Sequence, residues 1–272
     1  MSNLRKTTII IVIMIMAVML LAACAGAGGS NGSDNAGKGN NSREKQEIVI
    51  GSDSFEPYFY QNSYGEFEGI DIDLAKEALG RMGYDPVFKM IGWDDKDEYL
   101  KDGKIDCLWG CYSMNGRENK YQWAGPYMNS RQVVCVRKNI NIKGLKDLRD
   151  KTVAVQETGK AEEYFLRKRK GDSSVPDIFR LYAFVSMDEV DAALRKNYVD
   201  AIAGHENALN SLVETAPEEY EILDEPLFLS KIGVAFGRNY DSDFVRQLNR
   251  TLNDMQADGT VKRIVEKYGL KY

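Results

Sequence analysis

Two stretches of this chain follow one pattern: "LKDGKIDCLWG" (100–110) and "LRKNYVDAIAG" (194–204). Each reads leucine, a base, a free position, a turn residue, a free position, a β-branched residue, aspartate, a free position, an aliphatic residue, a free position and glycine. A helix end, a tight turn and a strand suited to the inside of a parallel sheet therefore recur. A recurrence of this kind predicts two α/β lobes of similar design.

The rest of the chain alternates to match. "EIVIGSD" (47–53), "PVFKM" (86–90), "KIDCLWG" (104–110) and "RQVVCVR" (131–137) read as strands. Between them "GIDIDLAKEALGRMG" (69–83) and "DDKDEYLKDG" (94–103) read as helices. In the first helix Ile72, Ala75, Leu79 and Met82 share a face, and Gly83 sits where a C-terminal cap belongs. The pattern restarts with strand "KTVAVQETG" (151–159), helix "KAEEYFLRKRKG" (160–171), strand "DIFRLYAF" (177–184) and helix "SMDEVDAALRKN" (186–197). Ser186 and Glu189 have capping-box spacing there. "YVDAIAG" is again a strand. A last strand, "KIGVAFGR" (231–238), precedes a long amphipathic helix (242–259) with Phe244, Leu248, Leu252 and Met255 on its core face, then a helix over about Thr260–Tyr268. A return of this tail to the first lobe would join the lobes by two crossings, with a hinge and a ligand cleft between them.

The N-terminus has its own logic. Arg5 and Lys6 precede an apolar run from Ile9 to Leu21, followed by Ala22-Ala23-Cys24. This is the pattern of a secretion signal, and cysteine after the small pair makes it a lipoprotein signal, with residues 1–23 removed and Cys24 lipidated. The run is short for a spanning helix, which needs about 20 residues. The stretch 25–46 is dominated by Gly, Asn and Ser and cannot bury a core. As a flexible tether its 22 residues span about 25 Å. The chain carries a formal net charge of −5, or −7 once Arg5 and Lys6 leave. An acidic chain without a basic stripe argues against nucleic acid as a partner. Beyond Cys24 the cysteines are Cys107, Cys111 and Cys135, an odd number among apolar neighbours. They read as buried thiols, although a Cys107–Cys111 disulfide stays open. One histidine, His205, and no paired Cys-x-x-Cys make a metal site improbable.

Several stretches in order, "GSDSFEPYFY" (51–60), "EFEGIDIDLAKEALGRMG" (66–83), "GRENKYQWAGPYM" (116–128), "LKDLRDKTVAVQETGKAEEY" (145–164) and "QADGTVKRIVEKYG" (256–269), carry a resemblance. With the two echoed segments they resemble the amino-acid-type (family 3) solute-binding proteins of ABC importers, over nearly all of 48–268. The resemblance implies a two-lobed α/β clamshell of the type II periplasmic-binding-protein kind. Lobe one would hold about 47–127 and 233–272, lobe two about 132–227, with hinge strands near 128–131 and 228–232. It implies capture of a free amino acid by lobe closure and delivery to a membrane permease. It also implies no cofactor and no catalysis. A monomer is expected, lipid-anchored on the outer face of the cytoplasmic membrane of a Gram-positive bacterium. Two other readings are a dehydratase-like enzyme on the same scaffold and a receptor that presents its ligand to a signalling partner.

Residue by residue, Arg117 matches the family arginine that grips the ligand carboxylate, for which a planar guanidinium fork is suited. Glu206 follows "AIAGH" where the family usually has the aspartate that holds the ammonium. The first turn of a helix at 206–216 is the other reason for an acid there, and His205 beside it reads as structural. Phe55 and Trp93 match the aromatics that sandwich the ligand side chain, and Asp53 the acid at its far end. Tyr58 and Tyr60 are either pocket wall or core. Gly110 and Tyr112 match positions that offer groups to the ammonium and carboxylate; a glycine allows close approach. Two places depart from the family. Trp109 and Tyr112 are bulky where small residues or threonine are common. The turn after the second-lobe strand reads "QETGKAEE", placing Gln156, Thr158 and Lys160 at the pocket. That turn opens a helix whose free N–H groups suit a carboxylate; Lys160 either adds charge to the grip or points to water.

Overall fold

The echoed segments occupy equivalent places in one sheet, and an aspartate in each does the same work. The computed structural model describes residues 46–270 and 272; the expected signal, most of the tether and Cys24 lie outside the described residues. In the first half β1 (Glu47–Ser52) pairs in parallel with β4 (Asp85–Met90) and β5 (Cys107–Leu108). In the second half β7 (Thr152–Gln156) pairs in parallel with β8 (Arg180–Phe184) and β9 (Ala201–His205). Just ahead of β5, the Asp106 side chain accepts the Val49 amide at 2.7 Å while its own amide donates to the Val49 carbonyl at 2.7 Å. Just ahead of β9, Asp200 accepts the Thr152 amide at 2.8 Å and the Thr152 hydroxyl at 2.7 Å, and donates its amide to the Thr152 carbonyl at 3.0 Å. Each aspartate adds a side-chain rung where a central strand enters the ladder.

Two antiparallel strands join these triads. β6 (Gln122–Arg137) and β11 (Phe228–Phe236) pair from Phe228↔Gln132 to Phe236↔Gln122. β11 continues onto β5 and β6 onto β9, so the sheet runs β4-β1-β5-β11-β6-β9-β7-β8, with β10 (Tyr220–Ile222) also on β6. A small hairpin, β2 (Tyr60–Gln61) and β3 (Phe67–Glu68), stands apart. β6 joins the hinge strand expected near 128–131 to the strand expected at 131–137 and starts six residues before them. Gly125-Pro126 reads as a stop in sequence, but the β6–β11 register shifts between Ile232 and Val234, and the irregularity absorbs it.

The helices are α1 (Ile70–Met82), α2 (Lys96–Lys101), α3 (Lys160–Leu166), α4 (Met187–Arg195), α5 (Glu206–Thr215), α6 (Ser242–Ala257) and α7 (Thr260–Lys267). α1 ends at Gly83 in the left-handed conformation, φ 84°, where a side chain is disfavoured. The capping box of α4 forms as expected: Ser186 Oγ accepts the Glu189 amide, and the Glu189 carboxylate accepts the Ser186 amide. α3 is shorter than expected, giving way to a 3-10 turn over Arg167–Lys170 that closes at Gly171. α6 packs Phe244, Leu248, Leu252 and Met255 into the same core as Ile48, Ile50 and the apolar face of α1. Each such side chain contributes about 1.5–3 kcal/mol by burial. The tail thus rejoins the first half. Cys107, Cys111 and Cys135 are all free and buried. Among the described residues no helix is long and apolar enough to cross a membrane.

Candidate functional site

The carboxyl ends of both parallel triads open on one cavity. β1 delivers Asp53, β5 delivers Gly110, β7 delivers Gln156 and β9 delivers His205 to its wall. Ligands in open α/β sheets bind at strand ends of this kind. The cavity holds about 40 Å³, room for a few waters. A ligand of amino-acid size requires the walls to part.

The floor is fixed from below. Asp71, in the first turn of α1 and fully buried, accepts the Cys111 amide at 2.6 Å and the Tyr127 hydroxyl at 2.8 Å. Burial outweighs both bonds and pushes its carboxyl up to about 7. Those bonds set the loop 110–113. Gly110 is obligatory in that loop, because a Cβ there would lie 1.9 Å from Ser52 Oγ.

Arg117 governs one end. Arg117 is 8% exposed, and its guanidinium lies 4.8 Å from the centre of the Tyr112 ring, a cation–π geometry. It donates to the Ser113 carbonyl at 3.4 Å, the Thr158 carbonyl at 2.9 Å and Glu163 Oε1 at 2.6 Å. Lys160 lines the same end and pairs with the other Glu163 oxygen. Glu163 itself faces an outer groove with Tyr164, Arg167 and Phe228. His205 points into the cavity, its Nδ1 3.0 Å from Ser130 Oγ and its ring edge-on to Phe55. Burial first, and then the charge of Arg117, pull the imidazole down to about 3, so it is neutral.

Asp53 marks the other end. It accepts Gln156 Nε2 at 2.5 Å and Ser52 Oγ at 3.4 Å. Burial pushes the carboxyl up to about 6 against those bonds. Trp93 stands edge-on to Tyr112, ring centres 5.1 Å apart. Lys96 donates to the Trp93 carbonyl and, at 3.0 Å, to Thr158 Oγ1; burial lowers its affinity for a proton.

Of the residues expected at the site, Asp53, Phe55, Trp93, Gly110, Tyr112, Arg117, Gln156 and Lys160 line the cavity. Three do not. Trp109 is fully buried beneath it, against Tyr127, because the residue next to Gly110 on the strand faces the opposite side. Glu206 turns away and pairs with Arg131 at 2.9 Å. Thr158 contributes from behind, to Lys96 and Arg117, and its amide donates to Glu162, so it is not free for a carboxylate. Tyr58 is core as well, its hydroxyl accepting from Asn207. Sequence reasoning missed His205, Ser113 and Gln132 on the wall. Strand alternation from Gln132, paired with His205, is the signal that reaches both.

The model for bacterial extracellular solute-binding proteins, family 3, matches residues 48–271. The chain belongs to that family, and its fold is the two-lobed type II periplasmic-binding-protein fold with β6 and β11 as the crossing strands. It is 28% identical to the histidine-binding periplasmic protein of Escherichia coli (strain K12) over 234 residues, 82% of this chain and 87% of that one. It is 27% identical to the L-cystine-binding protein TcyA of Bacillus subtilis (strain 168) over 241 residues, 86% of this chain and 87% of that one. The solved structure of an ancestral arginine-binding protein bound to arginine matches with a TM-score of 0.73 at 27% identity, covering 82% of this chain and 98% of that one.

Proposed function

We propose that this protein captures a free amino acid, or a closely related small polar molecule, by lobe closure and passes it to an ABC permease. Arg117 carries the reading. Its guanidinium is buried, pairs with Glu163 at the edge of the outer groove and lines a cavity built from both halves of the sheet. A ligand carboxylate fits that fork. The lobes are 47–127 with 233–272 and 132–227, hinged at 128–131 and 228–232. The ligand's binding free energy shifts the open–closed equilibrium toward closed. Lipid on Cys24 and the tether 25–46 hold the protein at the outer face of the cytoplasmic membrane. It works as a monomer, without cofactor, and makes no covalent change. The names of the relatives, for histidine, cystine and arginine, support an amino acid as the class of ligand.

A thermal-shift screen against free amino acids, amines and small peptides tests this. A ligand at a hundredfold excess over its dissociation constant adds about 2.7 kcal/mol of stability. Arg117→Ala is expected to abolish the best carboxylate hit. Undiminished binding by that variant sinks the carboxylate grip.

A further inference from the structure

We propose that a basic ridge outside the ligand cavity binds a flexible phosphodiester polyanion of the cell envelope, of the polyglycerol phosphate kind. The ridge is the 3-10 turn Arg167–Lys170, with Lys151 and Arg180 beside it.

α3 leaves the cavity at Lys160 and runs back along the sheet, so the turn after it emerges where β7 and β8 begin. There the amides of Phe179 and Arg180 donate to the Lys151 carbonyl, just ahead of β7. β8 is the last strand of the sheet, so no further strand covers this face. A 3-10 turn repeats every three residues. Arg167 and Lys170 accordingly share one side and line the outer groove with Tyr164 and Leu229. Lys168 and Arg169 line a separate depression with Phe179 and Arg180. Bases thus stand on both flanks of one ridge.

The stretch 166–180 holds five bases and two acids, in a chain whose net charge is −5. Each acid takes one base: Arg167 pairs with Asp172 at 3.4 Å and Lys168 with Asp177 at 2.9 Å. Arg169, Lys170 and Arg180 are exposed and pair with no carboxylate among the described residues. Arg180 lies instead over the rings of Phe179 and Tyr182, 5.6 and 5.8 Å from their centres. Like charges gathered in this way repel one another, and a bound polyanion relieves the repulsion. A flat bilayer meets one flank of a ridge, whereas a flexible chain with one negative charge per unit can follow both. The proposed tether enters at Glu47, where β1 begins. Both triads turn their carboxyl ends to the cavity, so the start of β1 and the starts of β7 and β8 lie on opposite sides of it. An anchor on the first side leaves the ridge facing away from the membrane. The family is extracellular, so the polyanion is one found outside the cell.

Fluorescence anisotropy with labelled, soluble polyglycerol phosphate tests this. The protein used is the chain from residue 25 on, which keeps every strand and helix and the whole family-matched stretch. Binding is expected at about 50 mM salt and should weaken about twentyfold or more at about 200 mM, as counterion release from about three phosphate contacts predicts. Arg169→Glu with Lys170→Glu should weaken it about tenfold or more at the lower salt. Arg250→Glu with Lys262→Glu, exposed on α6 and α7, changes the net charge equally and should leave binding within about threefold. Vesicles of three parts phosphatidylcholine to one part phosphatidylglycerol should bind more weakly than the polymer at equal anionic phosphate. No binding at the lower salt, an affinity indifferent to salt, or equal losses in the two double variants overturns the proposal. So do vesicles bound as tightly as the polymer, which would make the ridge a membrane contact. The salt and vesicle comparisons use the wild type alone and need no variant to fold. The amino-acid reading stands under every one of these outcomes.

Discussion

Asp71 ties the floor of the cavity to the core, and its protonation should be visible in stability. Its carboxyl titrates near 7 in the folded chain and near 3.9 in an unfolded one. Between those values the folded state holds the proton more tightly, so this contribution is full below about pH 4 and is lost as pH rises through about 7. Asp53, near 6, and Asp191, near 7, slope the same way, each raised by burial. His205, lowered to about 3, slopes oppositely: its contribution is full above about pH 6.5 and fades as pH falls toward 3. Asp71→Asn removes one slope and one acceptor for the Cys111 amide or the Tyr127 hydroxyl. The variant is expected to be less stable than the wild type by about 1–3 kcal/mol near pH 4, with the gap narrowing toward pH 7. Parallel denaturation curves across that range would refute the assignment. At this scale the sequence was readable wherever a side chain's reach did not depend on register. Arg117, Asp53 and Phe55 could be placed on the cavity from their motifs. The acid after "AIAGH" could not, because β9 is made of small residues that give no face to count from, and a slip of one position exchanges inward His205 for outward Glu206.

At the scale of elements, the repeated aspartate is a strand anchor. Asp106→Ala and Asp200→Ala each leave amide donors of β1 or β7 without their side-chain partner. Each should cost about 1–3 kcal/mol in urea denaturation, with Asp200→Ala the larger because Thr152 Oγ1 also loses its acceptor. A cost near zero for both would leave the repeat without this physical basis. The helices and parallel strands were legible because their periods and caps are local: Gly83 ends α1 and Ser186 starts α4 as their chemistry dictates. β6 was not, since a Gly-Pro pair looks like a stop until a partner strand with a matching irregularity is known. β2, β3 and β10, at two or three residues each, are too short to show a period.

For the whole molecule, the contacts across the cavity describe a clasp. Gln156 to Asp53, Lys96 to Thr158, Arg117 to Thr158 and Asn207 to Tyr58 each join residues of the two proposed lobes. In the proposed open–closed equilibrium these bonds favour the closed form before any ligand arrives, so a ligand would compete with the protein's own side chains for part of its affinity. Lys96→Ala with Gln156→Ala should increase the radius of gyration of the ligand-free protein in small-angle scattering, and a bound ligand should reverse the increase. An unchanged radius would mean that the clasp does not set the equilibrium. The three thiols bear on the same joint, for Cys107, Cys111 and Cys135 lie on β5, in the loop after it and on β6. Burial raises every one of them above the ordinary thiol range, which leaves almost no thiolate, the form that exchanges with disulfides and reacts with oxidants. These three thiols are therefore expected to stay unmodified whatever the redox poise of the surroundings.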